Sequence, residues 1–442
     1  MCTTFGICGR QERQVSSRLP LVIVGNGGAA AEAVLALRAS GYRGEIHLFS
    51  ENNHAPYNPT LGPYFVGGTL ELEKVFPFGN KTSFYQGNGV ATHLGEKVIE
   101  LDPSAQTLVT SQGRSFAFER VLVASGAQPT LPPVRGLREA LAANAAGEAG
   151  GQGRRVFTLR SLADALALRE AVEEVLAVPR PQPRAAVVGA SLAGVKVADV
   201  FCELGFRVLL VERESQLLPL CAHPECASAL EKHLLEQGYE LYLGAFLEAV
   251  STDESGRVAL TFGPPQAATV NVDLVVICTG SRPNLDFLVP GSVETDVGIL
   301  VDKHLRSTHP ALYAAGDVAQ GLNLLSGRRE IIALWSSARY QGRVVGRNLA
   351  GRSSLYGGGI PHNITRVGKL VFASIGCMCD YDEIAVDKKG AAEEVRLYRE
   401  RRLVGINLLN SCLEIGILKQ AVLKLAAGLA KEMRVTWTTF GA

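Results

Sequence analysis

Neither sign of charge dominates this chain. Among 442 residues, 44 lysines and arginines stand against 43 aspartates and glutamates, a formal net charge of +1. No long basic run breaks the balance, which argues against a nucleic-acid partner. A transmembrane segment is also missing. The most apolar late segment, residues 415–430, is interrupted by Lys419 and Lys424 and reads as an amphipathic helix, either packed in a C-terminal domain or laid on a membrane surface. Residues 1–17 lack the apolar core of a secretory signal. The nine cysteines fall at 2, 8, 202, 221, 226, 278, 377, 379 and 412. An odd, scattered set is no secreted disulfide framework, so a cytoplasmic location is the default expectation.

What is present is a globular α/β composition, 47% hydrophobic with 47 glycines, in a chain long enough for roughly two to four domains. Residues 1–18 read as a loose leader. The apolar run Leu21–Val24 leads into Gly25-Asn26-Gly27-Gly28-Ala29-Ala30, an Ala-rich helical pattern reaching about Ser40, and a second strand near 46–49. Residues 121–123 form a buried strand that ends in Ala124, Ser125 and Gly126. Residues 138–155 are rich in Ala and Gly and read as a linker or insertion. The strand–turn–helix–strand pattern returns over 185–212, and residues 274–280 and 312–317 again run from a strand into small residues. Past Gly357-Gly358-Gly359 the composition shifts to alternating strand-like runs over 360–412 and a closing helix, an antiparallel sheet plus helix.

Two turns carry the chemistry. In Gly25-x-Gly27-x-x-Ala30, Gly25 permits the tight turn, Gly27 lets a pyrophosphate approach the backbone, and the small Ala30 lets helix and strand pack closely; Gly28 opens the helix. Free N–H groups at the helix start favour an anion. Glu51, after the second strand, is placed to accept from ribose hydroxyls. The second turn is Gly189-x-Ser191-x-x-Gly194, with Glu212 ending the next strand. Ser191 replaces the middle glycine and hinders close approach. Either motif alone is compatible with a turn that holds no ligand. Two complete units, each with its terminal acid, point to two dinucleotides.

With these motifs in this order, the chain resembles the FAD/NAD(P)-dependent pyridine nucleotide–disulfide oxidoreductase superfamily over about residues 20–435. The carriers are the two turns, Ala124-Ser125-Gly126-Ala127-Gln128-Pro129, Cys278-Thr279-Gly280-Ser281-Arg282-Pro283-Asn284, and Tyr313-Ala314-Ala315-Gly316-Asp317-Val318. The resemblance implies an α/β fold: two Rossmann-like, glutathione-reductase-type nucleotide-binding domains plus a C-terminal α+β domain. It assigns FAD to residues 19–138 and 290–352, NAD(P)H to 139–289, and homodimer formation to 353–442. Ala124, Ser125, Gly126, Gly316 and Asp317 then join the FAD site, with Asp317 at the ribityl and phosphate region, and Gly280 joins the nicotinamide-nucleotide site. Trp335, Ala338, Gln341 and Gly342 belong to the helix that follows the acid. Glu212 favours NADH over NADPH.

The redox centre departs from many relatives. They carry a C-x4-C pair on the first helix, or one cysteine in a Tyr-Ser-Pro-Cys-x-x-Pro-Tyr segment. Here the segment reads Tyr57-Asn58-Pro59-Thr60-Leu61-Gly62-Pro63-Tyr64, and Thr60 holds the cysteine's place. A hydroxyl forms no flavin-linked thiolate. Lys196 stands where relatives have Glu; either it supports reduced flavin electrostatically, or it points away to solvent or a carboxylate. Cys221 and Cys226 have a suggestive spacing in the wrong place, and Cys377 with Cys379 makes a poor zinc site, so no metal is expected. The pattern is similar to the ferredoxin, rubredoxin and nitrite-reductase electron-transfer branches. It implies passage of electrons from NADH through FAD to an external acceptor, a small redox protein or partner subunit. A small-molecule, thiol or oxygen reductase and a non-catalytic flavin-binding subunit are the alternatives.

Overall fold

Leu21–Val24 (β1) is apolar at all four positions and buried on both faces, as a central parallel strand requires. The computed structural model describes residues 19–410 apart from 81–82, 147–153, 180, 254–255 and 391. The expected leader and closing helix lie outside those residues. In chain order the elements that position the site are α1 (Gly28–Ala39), β2 (Ile46–Ser50), β3 (Ala91–Leu94), β4 (Arg120–Val123) and α2 (Leu137–Ala146). They continue with β5 (Val156–Thr158), α3 (Leu162–Ala177), β6 (Arg184–Val188), α4 (Leu192–Glu203), β7 (Arg207–Val211), α5 (Pro224–Glu236), β8 (Glu240–Tyr242) and β9 (Leu274–Ile277). The chain then returns through β10 (Leu312–Ala314) and α6 (Trp335–Leu349) and ends in β11 (His362–Val367), β12 (Leu370–Gly376), β13 (Glu383–Lys389), β14 (Ala392–Arg399) and β15 (Arg402–Leu409).

The first parallel sheet has the order β10–β4–β1–β2–β3. Val24 pairs with Phe49 and Val123, and Val123 with Ala314, so the carboxyl ends of four strands share one edge. Gly25, Glu51, Ala124 and Gly316 emerge there together, the edge at which open α/β sheets bind ligands. The second sheet, β8–β7–β6–β9–β5, repeats the design with Val188 beside Val211 and Ile277. In the C-terminal antiparallel sheet the order is β11–β12–β15–β14–β13.

Close packing of α1 on α6 uses small residues. A Cβ at Gly342 would stand 2.2 Å from the Ala29 carbonyl oxygen, and one at Gly346 2.4 Å from that of Ala33. The buried Glu32 carboxylate accepts from Arg339 Nε at 2.7 Å and faces Arg343 Nη1 at 3.2 Å, so α1 and α6 are also joined by charge. The C-terminal sheet lays Phe372, Val395, Leu397 and Leu409 against the core that contains Leu230 and Leu234 of α5. Its dock includes Asp199 of α4, whose Oδ1 accepts from Gly368 N at 2.8 Å and Tyr239 Oη at 2.9 Å.

Two segments differ from the sequence reading. The expected linker begins as α2, because Leu137, Ala140 and Leu141 fall on one helical face and pack against the second sheet's core. Between Asp317 and α6 the chain makes a hairpin, Ala319–Leu322 with Arg329–Glu330, too short and mixed in polarity to stand out as strands.

Gly342→Ala should destabilise the apoprotein by about 1–3 kcal/mol through overpacking, whereas Gly87→Ala, where a Cβ meets nothing within 4 Å, should be nearly neutral. Denaturant midpoints compare them. Burial raises Asp199 from 3.8 to about 6, against the opposing effect of the Gly368 and Tyr239 hydrogen bonds. Folding therefore tightens the hold on this proton. The stabilisation is complete below pH 3.8 and is lost as pH rises to about 6. The stability difference between wild type and Asp199→Asn should shift across that window; a difference independent of pH would contradict the assignment.

Candidate functional site

The first glycine turn is shaped by backbone contact. Gly25 has φ +111°, and a Cβ there would lie 2.1 Å from the Ala124 carbonyl oxygen. No residue with a Cβ could combine that conformation with that approach. At Gly27, by contrast, φ is −96° and a Cβ would meet nothing within 4 Å, so the turn is open where a ligand must come close. The start of α1 has no side-chain cap and no acidic residue in its first turn. Its free N–H groups and positive dipole end are available to an anion. Gly28 gives room to Trp335, whose ring would be 2.7 Å from a Cβ there. Ala30 is fully buried behind the turn.

A cavity of about 650 Å³ opens from this turn. Gly25, Gly27, Gly28, Glu51, Ala124, Ser125, Gly126, Gly316, Asp317 and Thr60 all line it, so the structure gathers these sequence candidates in one place. Glu51 is exposed on its rim, with Lys97 Nζ 3.6 Å from Oε2. Gln341, buried in α6, accepts from Gly316 N at 2.7 Å and holds the strand end that presents Asp317. Thr60 Oγ1 donates to Asn58 Oδ1 at 2.8 Å.

Arg160 was not anticipated. It follows β5 in the second nucleotide unit, yet its Nη2 donates to Asp317 Oδ2 at 2.8 Å and its Nε to the Ala127 carbonyl at 3.0 Å. Tyr57, raised to about 12 by burial and so protonated, donates to the Arg160 carbonyl at 3.0 Å. Ser161 and Asp164 form a capping box on α3 that fixes this segment, and the Ser-x-x-Asp spacing was the one available signal. Ser125 ties the units reciprocally: its Oγ donates to the Asn284 carbonyl, and Asn284 Nδ2 donates to the Ser125 carbonyl, both at 2.9 Å.

The second turn repeats the steric logic. A Cβ at Gly189 would be 2.8 Å from the Cys278 oxygen, one at Gly194 1.8 Å from the Gly189 oxygen, and one at Gly280 2.6 Å from Thr130 N. Here the helix start is capped: Ser191 Oγ accepts from Gly194 N at 3.4 Å and donates to the Cys278 carbonyl at 3.3 Å. Glu212 accepts from Ala190 N at 2.8 Å and from Glu214 N at 3.0 Å, which sets its carboxylate beside the turn. Arg213 is exposed and donates to Glu214 Oε1 at 2.9 Å. Lys196 does not line the cavity; its ammonium stands 4.8 Å from the centroid of the Tyr64 ring, in the segment that follows Thr60. Burial pushes the Cys221, Cys226 and Cys278 thiols up to about 12, so none is a thiolate at neutral pH. No group of three or more His, Cys, Asp or Glu among the described residues can hold a metal.

Residues 19–342 match the model of the family described as pyridine nucleotide-disulphide oxidoreductase. The chain belongs to this family. Among its relatives is the NADH-dependent phenylglyoxylate dehydrogenase subunit epsilon of Aromatoleum evansii, 28% identical over 91% of each chain. Another is rubredoxin-NAD(+) reductase of Pseudomonas putida, 26% identical over 89% of this chain and 96% of that one. The structure also superposes on a putidaredoxin reductase in covalent complex with putidaredoxin, with a TM-score of 0.81 at 22% identity, covering 92% of this chain and 93% of that one. The fold is thus the implied α/β architecture, with two parallel-sheet, Rossmann-like cores and a C-terminal antiparallel sheet domain. The bare helix start and the open Gly27 position fit the family's flavin dinucleotide at the first turn.

Gly25→Ala should yield protein that does not retain flavin. Gly27→Ala should fold with apoprotein stability within about 1 kcal/mol of wild type but bind flavin at least roughly tenfold more weakly, worth about 1.4 kcal/mol. Equal flavin affinity in Gly27→Ala, read by fluorescence titration, would contradict the open-cradle reading.

Proposed function

We propose that this chain oxidises NADH through FAD and hands the electrons to an external acceptor, a small redox protein or a partner subunit. The observation that carries the proposal is a flavin-sized cavity on the first dinucleotide turn in which Thr60, not a cysteine, occupies the redox-residue position, in a chain that repeats the turn at Gly189–Gly194. The named relatives support both kinds of acceptor: one is a rubredoxin reductase and another is a subunit of an NADH-dependent dehydrogenase.

In this reading the α1 N-terminus, with Gly25, Gly27 and Gly28, holds the FAD pyrophosphate, and Glu51 takes its adenosine ribose hydroxyls. Asp317, oriented by Arg160, serves the ribityl and phosphate region, beside Gly316, Ala124, Ser125 and Gly126. The turn Gly189–Gly194 receives the NADH pyrophosphate, with Ser191 contributing a hydroxyl, and Gly280 borders that site. Bound there, FAD would supply the chemistry of taking a hydride from NADH and releasing electrons singly or in pairs. The protein's own work is to align the two sites; Lys196, over the Tyr64 ring, is proposed to add positive charge beside the Thr60 segment. Thr60 takes no part in electron transfer. No helix among the described residues is long and apolar enough to cross a membrane. A cytoplasmic homodimer, paired through the C-terminal domain, belongs to the same proposal.

NADH is preferred to NADPH because Glu212 is fixed beside the second turn. Each of its oxygens has one backbone partner and a remaining lone pair for a ribose hydroxyl. A 2′-phosphate would meet this carboxylate at a cost on the order of 1–4 kcal/mol, roughly tenfold to several hundredfold in affinity. Arg213 is already paired with Glu214. Flavin reduction should therefore be faster and tighter with NADH, and Glu212→Ala should narrow the gap; equal performance of NADPH in the wild type would overturn the assignment. In steady state, NADH should drive turnover of a one-electron dye and not of disulfides. Two-electron reduction should show no long-wavelength thiolate charge-transfer band. Disulfide turnover that disappears on alkylation would instead favour the thiol-reductase alternative.

A further inference from the structure

The C-terminal domain holds a pair of thiols that the nucleotide sites do not use. Cys377 and Cys379 follow β12, and their Sγ atoms stand 3.0 Å apart. Cys379 is exposed and Cys377 half-buried. Between them Met378 is buried in the core that the C-terminal sheet shares with α5. The Cys377 N–H donates to the Val404 carbonyl at 3.0 Å, and the Cys379 N–H points to Cys377 Sγ at 3.5 Å. The buried methionine and the strand contact hold this short segment, so the two sulfurs are kept together by the fold.

The spacing discriminates between uses. Two thiolates on a tetrahedral zinc at 2.3 Å would be about 3.8 Å apart, and no further ligand set is present among the described residues. A disulfide bond of about 2.05 Å needs the sulfurs to close by only about 1 Å. We infer that Cys377 and Cys379 are a redox-active dithiol that closes to an intrachain disulfide by exchange with a low-molecular-weight disulfide.

The step balances without another reagent. The exposed Cys379, as thiolate, attacks one sulfur of RSSR and expels RS⁻. Cys377, as thiolate, then attacks the Cys379 sulfur and expels the second RS⁻. The two protein protons end on two RSH, and the electron pair lost by the protein sulfurs is the pair that reduces RSSR. The hydrogen bond with Cys377, partial burial, and the charges of Cys377, Asp380 and Glu330 hold the Cys379 thiol up at about 11; Arg399 pairs with Asp380. Exchange should accordingly speed up as pH rises and the pair's thiolate fraction grows.

The test treats the full-length flavin-loaded protein, prereduced and freed of reductant, with oxidised glutathione at increasing pH. Peptide mapping should find a Cys377–Cys379 cross-link, the peptide lighter by two hydrogen atoms and carrying no glutathione. In Cys377→Ser, glutathione should stay trapped on Cys379; in Cys379→Ser, the half-buried Cys377 should react far more slowly. A stable glutathione adduct on wild-type Cys379 without the cross-link would overturn the inference. So would full alkylation of both cysteines after treatment at the highest pH. The wild-type map decides the matter even if a serine variant fails to fold.

Discussion

The first nucleotide site depends on one backbone contact, the approach of Gly25 to the Ala124 carbonyl. Only a residue without a Cβ can enter it. That contact brings the end of β1 against the end of β4, and the register of the parallel sheet carries β2 and β10 to the same edge. Glu51 and Asp317, far apart in sequence, then face one cavity. The second unit uses the same device at Gly189 against Cys278 and at Gly194 against Gly189. The two differ in how the helix start is finished: bare at α1, capped by Ser191 at α4. An uncapped start leaves its donors free for an anion, whereas Ser191 takes up one of them.

The two units are not independent pockets. Arg160 crosses from the second to reach Asp317 in the first, and Ser125 and Asn284 exchange two hydrogen bonds across the same boundary. The Arg160–Asp317 pair is partly solvent-exposed on both sides, 34% and 18%, so its net contribution to stability is modest. Its importance is positional: it fixes the Asp317 carboxylate in the cavity wall and makes that wall depend on how the second unit sits.

Local signals were the readable ones. The glycine turns, the acids at strand ends, the Gly-Asp segment and the absence of a cysteine at Thr60 were all legible, because each is a short run whose residue types follow from backbone geometry. The shift to an antiparallel sheet after Gly357 was legible through its alternation. What escaped were contacts made by distant residues. Arg160 finds Asp317 across 157 positions, and Lys196 meets Tyr64 only after α4 packs beside the Thr60 segment. Helix α2 was missed because its Ala-rich sequence, run together with the glycines that follow it, masks a short apolar face. The spacing of Cys377 and Cys379 shows a poor zinc site and no more; that burial of Met378 keeps both sulfurs in contact is visible only in the fold.

The most direct test of the central claim is an anaerobic titration of the purified, flavin-containing protein with NADH, followed by absorbance. The account predicts that NADH reduces the bound flavin with one equivalent per flavin, and that an added one-electron acceptor restores the oxidised spectrum. A flavin that stays oxidised in excess NADH, or a protein that cannot be loaded with FAD, would contradict it.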